Sequence, residues 1–306
     1  MRFLVTGGAG FLGVALANRL VAAGPAVYAL DDLRNGDAAR LEAAVAFTQG
    51  DVDNMPLLWS LLQEVDCVYH LAARVSVPQS LLYPREYARV NVGGTVSLME
   101  AMRDTGVGRV IFTSSGAVYG HQPRQPVRED DPPHPDSPYA VSKWAAEQYV
   151  NTIGALWGLE TVALRIFNAY GPGQGLPVSH APVVPRFLRA VLGGGSVVVH
   201  GDGRQTRDYV YVDDVVDALV AAATARDVNR GVVNVGSGRE TSVLELIAAM
   251  EQVTGRRADV LFNPQKAGGV ARLAADVARA RDWLGFAPRV ELARGLQLTL
   301  ERDGRF

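Results

Sequence analysis

Short apolar, often β-branched runs recur at 3–5, 26–30, 67–71, 110–113 and 161–165, without the polar alternation of a half-exposed strand. Between them lie segments such as 12–23 and 94–104, with apolar residues at three- and four-residue spacing. Strands apolar on both faces, each followed by a helix, describe a parallel sheet covered on both sides. The pattern predicts a doubly wound α/β fold. After Arg165 the alternation loosens into Gly171-Pro172-Gly173-Gln174-Gly175 and a Pro-rich stretch reaching Pro185. Helix-like segments at 242–255 and 276–284 follow, with short strands between. We expect a first domain over 1–170 and a smaller mixed α/β domain over 171–306, with parts of 205–236 packing back onto the first. No repeat is evident at periods of 20 to 50 residues.

Composition narrows the partners. The 306 residues hold 30 basic and 32 acidic side chains, a formal charge of −2, which excludes the basic excess that nucleic-acid binding needs. A small neutral or modestly charged partner fits better. Cys67 is the one cysteine, so a disulfide framework or a cysteine metal cluster within the chain is excluded; its apolar run makes it a buried structural thiol, and no metal site is expected. The N-terminus runs from Met1 straight into a strand-like segment without the features of a signal peptide, and no apolar stretch is long enough to span a bilayer. A soluble cytoplasmic protein without nucleic-acid or membrane partners is expected.

The first candidate chemistry follows the first strand. Thr6-Gly7-Gly8-Ala9-Gly10-Phe11-Leu12-Gly13 opens the first helix. Gly7 permits a tight turn, Gly10 lets a diphosphate approach the backbone, Gly13 allows close helix packing, and the helix N-terminus supplies N–H groups and a favourable dipole. The spacing is G-x-x-G-x-x-G rather than the commoner G-x-G-x-x-G. Asp31 ends the second apolar run, where a carboxylate can accept hydrogen bonds from an adenosine ribose and repel a 2′-phosphate. NAD is favoured over NADP, although Arg34 lies close enough in sequence to soften that repulsion.

The second lies in the middle of the chain. Ser137-Pro138-Tyr139-Ala140-Val141-Ser142-Lys143 reads as a helix start, with Ser137 as N-cap and Pro138 at the first helical position. Tyr139 and Lys143 then share one helix face, where an ammonium lowers the pKa of a phenol toward the range of a general base. A surface pair would have the same spacing. What favours chemistry is Ser115, at the end of the strand Val110-Ile111-Phe112-Thr113-Ser114-Ser115, because ligands of open parallel sheets bind beyond the strands' carboxyl ends. None of His70, His121, His134, His180 and His200 sits in a triad-like context, which excludes serine hydrolysis.

With these residues in view, the sequence resembles the extended short-chain dehydrogenase/reductase superfamily and, within it, the NAD-dependent nucleotide-sugar epimerase/dehydratase family. The resemblance spans nearly the whole chain and implies a Rossmann domain that binds NAD, a second domain that binds the nucleotide sugar, and a homodimer formed through a four-helix contact. It implies cofactor contacts from Gly7, Gly10, Phe11, Leu12 and Gly13, from Asp31, Asp32, Asn35 and Gly36, and from Asp51 and Val52. Leu71, Ala72 and Ala73 within His70-Leu71-Ala72-Ala73, Asn91 within Asn91-Val92-Gly93-Gly94-Thr95, and Phe167 extend that set to the nicotinamide half. Ser115, Tyr139 and Lys143 match the catalytic Ser, Tyr and Lys. Tyr139 and Lys143 also face the cofactor, and Ser115 and Tyr139 the substrate.

For the substrate, Arg165-Ile166-Phe167-Asn168-Ala169-Tyr170-Gly171-Pro172 is similar to the family's segment that meets nicotinamide and substrate diphosphate, with Asn168 as the contact. Arg207, in Gly201-Asp202-Gly203-Arg204-Gln205-Thr206-Arg207-Asp208, is assigned to the diphosphate, with Gln205 and Val183 beside it. Where relatives carry Arg-x-Gly-Asp, this chain has Lys266-Ala267-Gly268-Gly269, so Lys266 or Arg272 must supply a second diphosphate contact. The family's first step takes a proton from the sugar's C4 hydroxyl onto Tyr139 and the C4 hydride onto NAD. Dehydratases and decarboxylases of the family then use carboxylates after the strand's threonine; here the positions are Ser114, Ser115, Gly116 and Ala117. Without an acid there, the implied outcome is 4-epimerisation, UDP-glucose and UDP-galactose being the favoured pair. Arg186 leaves UDP-glucuronate open as a substrate, and Ala274 leaves N-acetylated sugars open. A non-catalytic NAD-binding sensor is the reading from another class, and it has no need of Ser115, Tyr139 and Lys143 together.

Overall fold

Phe3, Leu4 and Val5 are all buried, so the first strand has no solvent face and must lie inside a sheet covered on both sides. The computed structural model describes residues 1–177, 181–264 and 269–306. The chain runs β1 (Arg2–Thr6), α1 (Phe11–Ala22), β2 (Ala26–Asp31), β3 (Ala46–Gln49), α2 (Met55–Leu62), β4 (Cys67–His70), α3 (Val77–Leu82) and α4 (Pro84–Tyr87). A π-helical turn (Ala88–Gly93) then leads into α5 (Gly94–Thr105), β5 (Arg109–Ser115), α6 (Pro138–Trp157) and β6 (Glu160–Ile166). The remainder comprises β7 (Asn168–Tyr170), α7 (Val183–Gly193), β8 (Ser196–His200), β9 (Thr206–Arg207), β10 (Tyr209–Tyr211), α8 (Val212–Thr224), β11 (Gly231–Val235), β12 (Thr241–Ser242), α9 (Val243–Thr254), β13 (Asp259–Asn263), α10 (Ala278–Leu284) and α11 (Leu292–Arg302).

Seven strands form one sheet in the order β11-β6-β5-β4-β1-β2-β3, every neighbouring pair parallel. This is the doubly wound Rossmann-type arrangement. The chain builds outward from β1 through β2 and β3, then returns to the other side of β1 for β4, β5 and β6. The strand order therefore reverses between β1 and β4, which opens a crevice beyond their carboxyl ends. Cys67 lies inside the sheet, where burial pushes its thiol up to about 12.

One feature was not visible in the apolar pattern. β3 is short and incompletely buried, so its sequence lacks the apolar run of its neighbours. β11, which lies within the 205–236 stretch, pairs with β6, Val232 opposite Ala163. The position 170 falls at the end of β7, which pairs in parallel with β10; β8 pairs with β13, and β9 with β12 in antiparallel fashion. Among the described residues, no helix is long and apolar enough to cross a membrane.

Candidate active site

The crevice is built first by the turn after β1. Gly7 adopts φ +68°, and a Cβ there would lie 2.7 Å from the Ala72 backbone nitrogen; at Gly13 it would run into the Gly7 carbonyl. Side chains are excluded at both places, so strand, turn and helix pack backbone to backbone. α1 starts at Gly10 without a side-chain cap, and its first turn, with Phe11, Leu12 and Gly13, has N–H groups and dipole to offer an anion.

Asp31, at the end of β2, accepts the N–H groups of Ala9 at 3.1 Å and Leu33 at 2.8 Å, and so holds the glycine turn against the 32–36 loop. Burial raises its pKa above the ordinary carboxylate value, and the two backbone bonds oppose that rise. A Cβ at Gly36 would come within 2.8 Å of the Asp31 carboxylate. Asn35 beside it is exposed. Asp32 pairs with Arg34 at 3.1 Å, and Arg34 also approaches Glu86 at 3.7 Å and Asp51 at 3.9 Å. Asp51 follows β3, beside the buried Val52, and is held by Arg89 at 3.3 Å.

Leu71, Ala72 and Ala73 continue from β4, with Ala72 N–H donating to Thr6 Oγ1 at 3.3 Å. His70 is buried between two hydroxyls, Nδ1 at 2.7 Å from Thr6 and Nε2 at 2.9 Å from Thr95. Thr95 donates its own proton to the Asn91 carbonyl at 2.6 Å, so its oxygen must accept from His70 Nε2–H and Nδ1 must accept from Thr6. Burial, aided by the Lys143 charge, pushes this imidazole down to about 3. It is a neutral strut, not an acid or base. Asn91 is likewise consumed: its amide donates to Arg74 O at 3.0 Å and Ser142 Oγ at 2.9 Å, and its oxygen accepts Arg74 N–H at 2.7 Å. Its side chain braces the 71–76 loop against α6, within a π-helical turn of the kind that often marks functional sites.

Ser115 ends β5, its Oγ accepting the Ala117 N–H at 3.1 Å. α6 begins as its sequence predicts, with Ser137 Oγ accepting Ala140 N–H at 3.3 Å and Pro138 in the first turn. Tyr139 is half-buried, with the Ser115 hydroxyl near enough to act on its phenol, and packs edge-on against Tyr87 with ring centroids 6.4 Å apart. Lys143, one turn on, is buried with its ammonium 4.4 Å from the centre of the Phe112 ring. The expected lowering of the phenol by Lys143 does not govern this arrangement. Burial holds Tyr139 above its ordinary value with the Ser115 hydroxyl opposing, and burial also pushes Lys143 down to about 7, with the Glu147 charge opposing.

Beyond β6, Phe167 is buried with its ring against Gly116, where a Cβ would lie 3.1 Å away, and Asn168 is exposed. Val183 opens α7, and Arg186 on its exposed face lies 5.1 Å from the Phe187 ring centre. Gln205 donates to the His200 carbonyl at 2.8 Å. Arg207 donates to the Thr206 carbonyl at 2.7 Å; burial holds its guanidinium below the ordinary value, with Tyr209 and Asp136 opposing. A partly desolvated cation of that kind favours an anionic ligand. Arg272 is instead engaged by Glu240, at 2.6 and 2.8 Å, and Glu240 also accepts the Thr206 hydroxyl at 2.7 Å. Lys266 lies outside the described residues.

The sequence of the NAD dependent epimerase/dehydratase family, as a family model, matches residues 3–236. The chain belongs to this family. It is 43 % identical over 308 residues to a UDP-glucose 4-epimerase of Mycolicibacterium smegmatis, covering 98 % of each chain. Among solved structures, the UDP-glucose 4-epimerase of Thermotoga maritima with UDP-glucose superposes with a TM-score of 0.94 at 35 % identity, covering 99 % of this chain and 98 % of that one. MoeE5 in complex with UDP-glucuronic acid and NAD superposes at 0.89 with 38 % identity, covering 98 % of both. The glycine cradle and the Asp31 carboxylate fit the dinucleotide on which this NAD-dependent family relies.

Buried acids outside the expected contact set also hold the site. The buried Asp208 carboxylate accepts four hydrogen bonds, from Ser237 N–H and hydroxyl, Gly238 N–H and Ala275 N–H, and so fixes the backbone next to Arg207. Glu147 accepts the Ser114 hydroxyl at 2.5 Å and two Arg165 bonds at 3.1 and 2.7 Å. Neither acid stands apart in the sequence from a solvated one. For Glu147 a signal existed, since it continues the four-residue spacing of Tyr139 and Lys143.

Proposed function

We propose that the protein is an NAD-dependent UDP-sugar 4-epimerase that interconverts UDP-glucose and UDP-galactose. The observation that carries this reading is the placement of Ser115 at the end of β5 with Tyr139 and Lys143 one turn apart at the start of α6, and no carboxylate at 114–117. NAD, when bound, supplies the acceptor and later the donor of the C4 hydrogen. Gly7, Gly10, Phe11, Leu12 and Gly13 would hold its diphosphate, Asp31 its adenosine ribose, and Leu71 to Ala73 with Phe167 its nicotinamide half. Tyr139 takes the proton of the sugar's C4 hydroxyl, Ser115 shares that proton, and Lys143 keeps the phenolate charge compensated. Arg207 grips the diphosphate, so the sugar can present its other face before Tyr139 returns the proton. With no carboxylate at 114–117, elimination of water lacks the acid and base it would need beyond Tyr139.

An acidic sugar is the second reading. The exposed guanidinium of Arg186 on α7 could pair with a C5 carboxylate, and the likeness to MoeE5 with UDP-glucuronic acid supports the same choice. A homodimer in the cytoplasm completes the proposal, supported by the exposed apolar side chains Leu81, Leu82 and Tyr83 at the end of α3 and Val141 and Tyr149 on α6. Parallel incubation of the NAD-loaded protein with UDP-glucose, UDP-glucuronate and UDP-N-acetylglucosamine, resolved by chromatography, tests the substrate. UDP-galactose should form from UDP-glucose without net NADH, and Tyr139→Phe should abolish the conversion. Stoichiometric NADH accumulation, or full activity in Tyr139→Phe, would overturn the reading.

A further inference from the structure

Tyr139, Lys143 and Glu147 stand at successive four-residue steps on α6, and the last of them is a fully buried carboxylate. Burying a carboxylate is costly unless charge and hydrogen bonds compensate it. Glu147 has three such bonds, and they come from the two strands that carry the rest of the candidate site. Ser114, its donor on β5, precedes Ser115; Arg165, its donor on β6, precedes Phe167 and Asn168 by two and three positions. Arg165 in turn stacks over Tyr119 at 4.7 Å.

We propose that Glu147 is a positioning residue for the proposed epimerase: it is the counter-charge that keeps the Lys143 ammonium protonated beside Tyr139 while tying α6 to β5 and β6. The assignment rests on the reading given under Proposed function. Among the described residues, the groups that act on Lys143 come from two strands and its own helix. From β4 comes His70, which is neutral; from β5 comes the Phe112 ring; on α6 itself are Tyr139 and Glu147. Facing Glu147 are Ser114 and Arg165, with Tyr119 and Glu129 behind Arg165. Burial alone discharges a buried lysine, and the Glu147 charge is the influence that opposes this at Lys143. Arg165 does not make the carboxylate redundant for Lys143. Oε2 is shared by Ser114 and Arg165 Nε, and Oε1 is taken by Arg165 Nη2, so the carboxylate is held rigidly while its charge still acts on the neighbouring turn.

The test is the pH dependence of kcat in the NAD-loaded protein. Turnover needs Lys143 protonated, so its loss of a proton sets the alkaline limb. Glu147→Gln removes the charge and leaves the shape, so the alkaline limb should move to lower pH by about one unit, whereas Glu147→Asp should restore it. A folded Glu147→Gln protein whose limb stays in place overturns the assignment. Should that variant not fold, Ser114→Ala serves instead. Its lost hydroxyl no longer shares the carboxylate charge, so the limb should move to higher pH; a limb unmoved or lowered overturns the assignment equally. Tyr139→Phe separates the two levels. Full turnover in that variant removes the proposed function and this role with it, while an inactive Tyr139→Phe beside an unmoved Glu147→Gln limb removes only the role of Glu147.

Discussion

Replacing Arg165 by Met tests how much of the buried ion pair is stability and how much is function. In the pair, Glu147 is completely buried and the Arg165 side chain only 5 % exposed, so neither charge can be rescued by water when its partner is lost. The substitution leaves Glu147 Oε1 without its 2.7 Å donor and Oε2 with the Ser114 hydroxyl alone. Removing one member of such a pair costs about 3–5 kcal/mol, and losing the guanidinium stacked on Tyr119 adds up to about 1 kcal/mol. At about 2–4 °C per kcal/mol, the upper size class for which that scaling holds, Tm should fall by about 6–24 °C. Combining Arg165→Met with Glu147→Leu removes the stranded charge; the buried Ser114 hydroxyl loses its acceptor, for about 1–2 kcal/mol, and the Glu129 carbonyl loses its Arg165 donor as in the single variant. More than half of the lost stability should return. Calorimetric melts at one fixed NAD concentration are needed, because bound NAD raises the apparent Tm by mass action. If Arg165→Met melts within about 2 °C of the parent, or if the double variant loses the sum of the single losses, the pair is not the buried, strongly coupled unit described here. Stability regained without turnover regained would separate the fold's requirement at Glu147 from the requirement of Lys143.

Two further outcomes follow from the site's geometry. His70 is held down to about 3 in the folded protein against an ordinary value of 6.5, so the unfolded chain binds one more proton between those limits and stability must fall as pH drops through that window. The slope from this group alone approaches about 1.4 kcal/mol per pH unit once pH is well below 6.5; urea titrations from pH 5.5 to 4 should show it, and His70→Gln should lack it, with an unchanged slope refuting the neutral strut. Gly13→Ala would drive a Cβ into the Gly7 carbonyl, where backbone rather than a flexible side chain must give way. NAD affinity measured by titration should fall at least tenfold with α1 intact by circular dichroism, and retained affinity would refute the close-packed cradle.

The parts of the molecule that could be read from the sequence share one physical property: their signals are local. Parallel strands buried on both faces must be apolar throughout, so β1, β2, β4, β5 and β6 announce themselves, and a helix that begins at Ser137-Pro138 fixes Tyr139 and Lys143 on one face by its own geometry. The glycines of the first turn are legible for the same reason, since each is required by backbone within a few residues or by one neighbouring loop. The groups that remained hidden are held by partners far away in the chain. Glu147 meets Ser114 and Arg165, and Asp208 meets Ser237 and Ala275. An isolated buried acid looks in sequence like any solvated one, because its counter-charge is defined by topology and not by spacing. Asn91 and Arg272 show the converse. Each stands where a ligand contact was expected, yet Asn91 spends its amide on Arg74 and Ser142, and Arg272 spends its guanidinium on Glu240. A polar side chain in a binding segment therefore has two competing uses, and only the inventory of its three-dimensional partners decides between holding the ligand and holding the loop that does.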